Sequence, residues 1–245
     1  MAGNVWRGDR GTSFYVGLAL VAALAAAVGF STTYFIPVAG GRFGGPAVAH
    51  VHGLLFFAWI ALFLGQALLA RTGRIRRHRQ LGQAALPLAV AMAVSGIGVG
   101  MFAVERDLAA GAGGFAYSQL VGVVTGMAFL LLFAGAAVLM RRRPDWHKRL
   151  MVLATIAVLW PAWFRWRHLM PWVPRPDIWL AVVAADSLIL VAMLRDALKF
   201  GRVHIAYAVF GTLLVAEHAA EAMLFDTPGW RRVARAMFDG FAGWF

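Results

Sequence analysis

Seven apolar runs of about 20 residues, separated by short basic segments, constrain this chain more than any other feature of its sequence. At ~1.5 Å per residue, about 20 residues in a helix cover the ~30 Å hydrocarbon core of a bilayer. The second run ends in five arginines between Arg71 and Arg79. We therefore predict an all-α integral membrane protein, a seven-transmembrane-helix bundle. The runs are Phe14–Pro37, Val51–Ala70, Leu81–Val104, Leu120–Met140, Leu150–Leu169, Ile178–Leu194 and His204–Phe225.

The distribution of positive charge predicts the orientation of this bundle. Of the 23 Lys and Arg residues, 15 lie in segments on one side of the predicted membrane and 8 on the other. The larger group includes Arg7 and Arg10, before the first run. Cytoplasmic loops carry such an excess, which predicts an N-in/C-out topology. Because the charges cluster in short loops, the net charge of +12 indicates a lipid bilayer as partner and argues against nucleic acid.

Composition agrees with a membrane protein. The chain is 61% apolar and 14% charged, whereas soluble domains carry about 25% charged residues. It has no cysteine, which excludes disulfides and thiolate metal sites. After Pro228-Gly229, apolar residues recur at helical spacing. We expect residues 1–227 to form the membrane domain and residues 228–245 an interfacial amphipathic C-terminal helix.

Three predicted cytoplasmic turns each lead into a helix that begins near a histidine, namely His78, His147 and His204. The bundle is thus predicted to be one helix followed by three related hairpins. Neighbouring cations disfavour protonation of these imidazoles. Since neutral imidazole is the form that binds metal or haem iron, the three histidines are secondary candidates for a site on the inner face.

The motifs around these histidines carry a resemblance to known proteins. His50-Val51-His52-Gly53, His78 to Gly82, and His147 to Thr155 resemble motifs in a family of multi-pass bacterial inner-membrane proteins of uncharacterised activity. The resemblance runs from Phe14 to about Trp230 and implies a seven-helix fold in a bacterial inner (plasma) membrane. The histidine-containing helix starts are also similar to those of smaller membrane proteins linked to assembly of haem-copper oxidases.

The notable ionisable residues inside the last two predicted spans are Asp186, Glu217, His218 and Glu221. Such residues are costly in a membrane and are by default functional candidates. Helical rise places Asp186 at ~12 Å and His218 at ~9 Å from the outer edge. These two residues are therefore predicted to lie at similar depth, near His50 and His52.

The histidine pair at the start of the second run is predicted to diverge. His50 and His52 are two residues apart, so on a helix they point ~200° apart. At most one of them is expected to face the bundle interior. Arg165 and Arg167, at the predicted outer face, are candidates for recognising an anionic head group or a haem propionate.

Three classes of function are open at this stage. The first is a membrane haem- or metal-binding protein in electron transfer or respiratory-oxidase maturation, with haem b or a divalent metal as cofactor and respiratory-chain proteins or quinone as partners. The second is a membrane-embedded metal-dependent hydrolase. The third is a small-molecule or proton carrier. The predicted cofactor-binding residues are His50, His52, Asp186, His218 and Glu221, and the predicted metal ligands are His50, His218 and Glu221.

Overall fold

A computed structural model describes residues 12–244, and within that range the chain is helical and has no β-strand. Five helices are long and apolar enough to cross a membrane, and one bent helix pair raises the number to six. The chain is therefore a multi-pass membrane protein. Arg7 and Arg10 lie outside the described residues. The helices are α1 (Thr12–Ala39), α2 (Ala47–Arg71), α3 (Ile75–Ala109), α4 (Gly113–Leu139), α5 (Pro144–Ile156), α6 (Trp160–Phe164), α7 (Asp177–Phe200), α8 (Ala206–Leu224) and α9 (Pro228–Phe241).

The fifth predicted span, Leu150–Leu169, is not one continuous helix. A tight turn over residues 157–159 separates α5 from α6. Within this turn the Leu159 N–H donates to the Ile156 carbonyl, three residues back. Pro161 accounts for the break, because proline has no N–H for the helical ladder and its ring clashes with the preceding turn. Neither piece alone is long enough to cross a bilayer, so this run is absent from the five or six candidate spans.

α5 and the turn after it form the centre of the bundle. Every residue from 149 to 159 except Met151 is buried. α5 packs against α1, α2, α4, α7 and α8, while α6 packs against α1 and α7. Gly29 of α1 lies so close to the backbone of Ala162 in α6 that a Cβ at this glycine would collide with it. The other helices thus surround a central, interrupted helix.

The bundle has two chemically different ends. We call the end with the turns over residues 71–75, 140–144 and 201–205 the basic end, because these three turns together contain six arginines. The opposite end, with the connections over residues 40–46, 110–112 and 165–176, is called the far end. α5–α6 runs from the basic end to the far end, so Arg165 and Arg167 come at the far end.

Three stretches of π-helix interrupt the regular helices: Ser31–Phe35 in α1, Asp177–Ala184 in α7 and Ala206–Gly211 in α8. π-turns occur frequently at functional sites. The second stretch ends just before Asp186, and the third begins the helix that carries His218. The irregular backbone of α7 therefore adjoins Asp186, whereas that of α8 lies about two turns before His218.

The C-terminal helix α9 bends away from α8 by 108°. The Thr227 hydroxyl caps α9 by accepting a hydrogen bond from the Trp230 N–H at 3.3 Å, and Pro228 occupies the first turn. Met237, Phe238 and Phe241 pack against a small second core at the far ends of α3 and α4. α9 thus covers part of the far end.

Candidate functional site

A buried carboxylate–imidazole pair joins α7 to α8. His218 Nδ1 lies 2.8 Å from Asp186 Oδ1, and both side chains are almost fully enclosed. The two residues, predicted to lie at similar depth, are in direct contact between neighbouring helices. Because an ionised carboxylate only accepts hydrogen bonds, the hydrogen sits on His218 Nδ1 and leaves Nε2 to take or release a proton.

Two glutamates of α8 add negative charge beside this pair. Glu217 Oε2 lies 3.7 Å from His218 Nε2. Glu221 comes one turn after His218 on the same face of the helix. Its carboxylate packs against Gly122 of α4, where a Cβ would collide with it. Only glycine at position 122 lets this acid reach α4. We call Asp186, Glu217, His218 and Glu221 the polar centre.

The polar centre contains two unsatisfied atoms. Asp186 Oδ2 and His218 Nε2 are buried and have no hydrogen-bond partner within residues 12–244. Buried polar atoms in native proteins nearly always have a partner, and exceptions point to a catalytic role or to a water or ion that completes the site. The acceptor on Asp186 and the second nitrogen of His218 are thus available for proton exchange or for a ligand.

The two histidines at the start of α2 have separate neighbours, as their spacing predicts. His50 Nδ1 lies 2.9 Å from the exposed Tyr34 hydroxyl. His52 turns towards α3, with Nδ1 3.0 Å from Ser95 Oγ. Since the Ser95 hydroxyl donates to the Met92 carbonyl, it accepts from His52 Nδ1–H, and His52 Nε2 carries the lone pair. His52 is the inward-facing member of the pair.

The three histidines at the basic end do not surround one centre. His78 and His147 are neighbours, with ring centroids 6.2 Å apart, and His147 Nδ1 lies 2.8 Å from the Ala137 carbonyl. His204 instead packs against Trp146, with ring centroids 5.1 Å apart. Its Nε2 lies 3.5 Å from Asp145 Oδ2. Two of the predicted secondary residues therefore meet, and the third belongs to a different cluster.

That cluster contains an ion pair that sequence analysis missed. Arg149 of α5 donates to both carboxylate oxygens of Asp196 in α7, at 2.8 and 2.7 Å, and both side chains are 0% exposed. The backbone N–H of His204 also lies within 3.4 Å of Asp196. In the charge distribution along the sequence, Arg149 is one of the cations assigned to the inner side, and its burial was not predicted. The available signal was that Asp145 and Asp196 are acids within strongly basic segments.

Hydrogen bonds around one carboxylate, which we call the acidic latch, hold α9 against the first turns of α4. Asp226, in the bend between α8 and α9, accepts hydrogen bonds from Arg231 Nε and from the Ser118 hydroxyl, both at 2.7 Å. Trp230 Nε1 donates to the Ser118 carbonyl at 2.8 Å. The Arg231 hydrogen bond, and then that of Ser118, lower the pKa of the Asp226 carboxyl to about 2.

This latch is expected to weaken in acid. Because the pKa of Asp226 is lowered in the folded state, its contribution to stability is present above the ordinary value of ~4 and is lost as pH falls towards about 2. The chain has no cysteine, so a spin label can be attached at Ala236→Cys on α9. Its mobility should rise between pH 4 and pH 2. In Asp226→Asn the label should be mobile already at neutral pH, and an unchanged pH profile in that variant would contradict the latch.

Arg165 and Arg167 lie in a 3₁₀ turn after α6 at the far end. The Arg165 guanidinium lies 4.3 Å from the centroid of the Phe30 ring, and its Nη1 donates to the Pro161 carbonyl at 2.8 Å. Neither arginine forms an ion pair with a carboxylate of residues 12–244. The far end therefore holds a cationic group as well as the acidic polar centre.

The described part of the chain does not provide a complete set of metal ligands. Across residues 12–244, no three His, Asp or Glu side chains are arranged to hold a metal ion. His50, predicted to bind metal with His218 and Glu221, is instead bonded to Tyr34 at the surface. Glu217, an ionisable candidate that was not among the predicted cofactor-binding or metal-binding residues, lies 3.7 Å from His218 Nε2.

Comparison with known proteins adds no assignment, because no family model, curated protein or solved structure matches the chain. The resemblance described for the histidine motifs therefore stays a prediction. The function is therefore inferred from the polar centre and from the charged groups around it.

Proposed function

We propose that this protein conducts protons within the membrane, at the polar centre, as a proton carrier or a proton-coupled carrier. The observation that carries the proposal is the buried contact between Asp186 Oδ1 and His218 Nδ1, which leaves Asp186 Oδ2 and His218 Nε2 without partners. Buried carboxylate and histidine chains are the groups from which membrane proteins build proton relays.

Each residue of the polar centre has a distinct part in the proposed relay. Asp186 holds the imidazole through Nδ1–H, so that Nε2 of His218 takes up the proton. The imidazolium that forms is stabilised by Asp186 and by Glu217, whose carboxylate lies 3.7 Å from Nε2. Glu221, one turn further along α8, continues the relay towards the far end. The π-helical start of α7 ends two residues before Asp186, and π-turns are frequent at functional sites.

The direct test is proton uptake by the purified protein. Liposomes that contain the protein and an internal pH-sensitive dye should acidify after an external acid pulse faster than empty liposomes do. Internal acidification at the rate of empty liposomes would contradict the proposal.

The haem- or metal-binding function remains the second candidate, with its role in electron transfer or oxidase maturation. One observation favours it: a histidine that binds metal usually donates its other ring N–H to a carboxylate, as His218 does to Asp186. The ligands in the described range remain incomplete, and we derive no step through a metal. A Soret band in the purified protein would support haem, stoichiometric zinc would support a hydrolase, and the absence of both would leave the carrier.

For the topology, we propose seven crossings in a bacterial inner membrane, N-in and C-out. The interrupted segment α5–α6 would form the fifth crossing, enclosed by the other helices. Its buried middle from 149 to 159, together with arginines at both ends, supports this view. α9 would lie on the outer surface, with Val233 and Trp244, 50% and 85% exposed, directed towards lipid.

Reporter fusions test this topology. A reporter after Arg143 should be cytoplasmic, and one at the C-terminus should be external, because 15 of the 23 cations lie on the predicted inner side. If α5–α6 does not cross, the chain makes six crossings and both termini share a side. A C-terminal reporter found in the cytoplasm would therefore remove the seven-span proposal.

A further inference from the structure

Arg165 differs from three other arginines of the far end in the partners available to it. Arg106, Arg175 and Arg231 each pair with a carboxylate nearby in sequence, at 2.8 Å or less. Arg165 is partly buried, and its described partners are a carbonyl of its own turn and the face of the Phe30 ring. A guanidinium withdrawn from water without an anion is energetically costly. The site therefore has a charge that nothing in residues 12–244 neutralises.

Helices α1 and α6, which pack together beside the turn that carries Arg165, add unsatisfied hydrogen-bond donors. The hydroxyl oxygens of Thr32 and Thr33 and Nε1 of Trp163 are buried and have no partner in the described part of the chain. A helical hydroxyl normally donates to a carbonyl of the preceding turn, as Ser31 does to Val28 at 2.6 Å. The two threonines lie in a π-helical stretch where this bond is not made.

These groups belong to segments that pack together. α1 and α6 touch closely at Gly29 and Ala162, and the 3₁₀ turn that carries Arg165 also packs against α1. The Arg165 guanidinium covers Phe30, just before the π-helical stretch. We call Arg165, Trp163, Thr32 and Thr33 the donor cluster. It holds one fixed positive charge and three further donors, and Arg167 brings a second positive charge to the same turn.

We propose that the donor cluster binds one oxyanion, a phosphate or a carboxylate, carried either by an anionic lipid or by a soluble anion. An oxyanion supplies the acceptors that Thr32, Thr33 and Trp163 lack. It also supplies the negative charge that Arg165 lacks, and the planar guanidinium can bind it through two parallel hydrogen bonds. The lipid source fits the position of the cluster at one end of a membrane bundle, where head groups lie. The proposal is independent of the proton relay, because it uses no residue of the polar centre.

The test compares the thermal stability of the detergent-purified protein with four additives: phosphatidylglycerol, phosphatidylcholine, inorganic phosphate and succinate. An anion that binds the folded state raises the melting temperature in a saturable manner. A rise with phosphatidylglycerol but not with phosphatidylcholine or the soluble anions indicates a lipid ligand. A rise with phosphate or succinate alone indicates a soluble one. No response of the wild-type protein to any anion would overturn the proposal.

Substitutions of Arg165 test whether the anion binds at the donor cluster. Arg165→Gln should weaken the half-maximal response at least about tenfold, as expected for a lost charge-assisted hydrogen bond of 1.5–3 kcal/mol. Arg165→Lys, which keeps the charge but loses the planar fork, should give an intermediate value. Arg42→Gln is the matched control, since Arg42 is exposed in a loop at the same end. Equal responses in the Arg165→Gln and Arg42→Gln variants would overturn the assignment. If Arg165→Gln does not fold, the wild-type and Arg165→Lys measurements still decide.

Discussion

Replacement of His218 by glutamine is expected to slow proton uptake into proteoliposomes by about a hundredfold or more, the lower end of the range that a positioned acid–base group contributes. Glutamine can keep a hydrogen bond to Asp186, but it cannot exchange a proton near neutral pH. Asp186→Asn should have a similar effect, because a neutral amide neither holds His218 in the same tautomer nor stabilises the imidazolium. The measurement is the initial rate of internal acidification after an acid pulse, normalised to the amount of inserted protein.

The double variant Asp186→Asn/His218→Gln distinguishes a proton-exchange site from a purely structural hydrogen-bonded contact. If Asp186 and His218 act as one unit, the double variant should be no slower than either single variant, because residues that act together are non-additive. His168→Gln is the matched control, since His168 is an exposed histidine at the far end. Wild-type uptake in both single variants would remove the pair from the relay and leave it as a structural contact between α7 and α8.

Much of the helical arrangement could be predicted because bilayer thickness sets the length of an apolar run. α1 to α4 and α7 correspond to predicted spans and are long enough to cross a membrane. The break at residues 157–159 was not predicted, although Pro161 is visible in the sequence. A proline in an apolar run is compatible with either a kink or an interruption, and packing around α5 decides between them. Hydropathy does not show that this run is the centre of the bundle.

The polar centre could be predicted in part, for a similarly simple reason. A constant rise per residue placed Asp186 and His218 at one depth, and neighbouring helices made contact between them the natural outcome. The reach of Glu221 to α4 could not be predicted, because it depends on Gly122, a residue distant in sequence that leaves room for the carboxylate. Similarly, His50 and His52 were known to diverge, but only the position of Ser95 shows that His52 is the one that faces α3.

The pair formed by Arg149 and Asp196 shows a different limit of sequence analysis. Arginines at helix starts on the basic side satisfy the positive-inside pattern whether they face water or the core. Arg149 therefore looked like its neighbours Arg141 to Arg143, although it is 0% exposed and bonded to Asp196 at both carboxylate oxygens. Charge distribution along a sequence indicates a side of the membrane, whereas burial depends on the rotation of each helix about its axis.

This buried pair leads to the prediction with the largest effect on stability. Arg149→Met should destabilise the protein by about 3 kcal/mol, the lower end of the range for breaking a buried ion pair, because the Asp196 carboxylate loses both hydrogen bonds from Arg149 and keeps the more distant Arg195 Nη1, at 3.3 Å. Asp196→Leu should be similarly harmful. The double variant Arg149→Met/Asp196→Leu should be more stable than either single variant, since replacing a whole buried ion pair by apolar side chains is often neutral. Unfolding in detergent, followed by loss of helical circular dichroism, measures all three against the wild-type protein.

An exposed ion pair serves as the control for the loss of stability expected in Arg149→Met. Arg106 and Asp107 also lie 2.8 Å apart, but their side chains are 60% and 23% exposed, so Arg106→Met should cost less than about 1 kcal/mol. A loss in Arg149→Met no larger than in Arg106→Met would show that Asp196 is not buried as a charge. A double variant as unstable as the two single variants combined would show that the two residues stabilise the basic end separately. In that case apolar packing around Arg149 would hold α5 against α7, and the interaction between the two charges would add no stability.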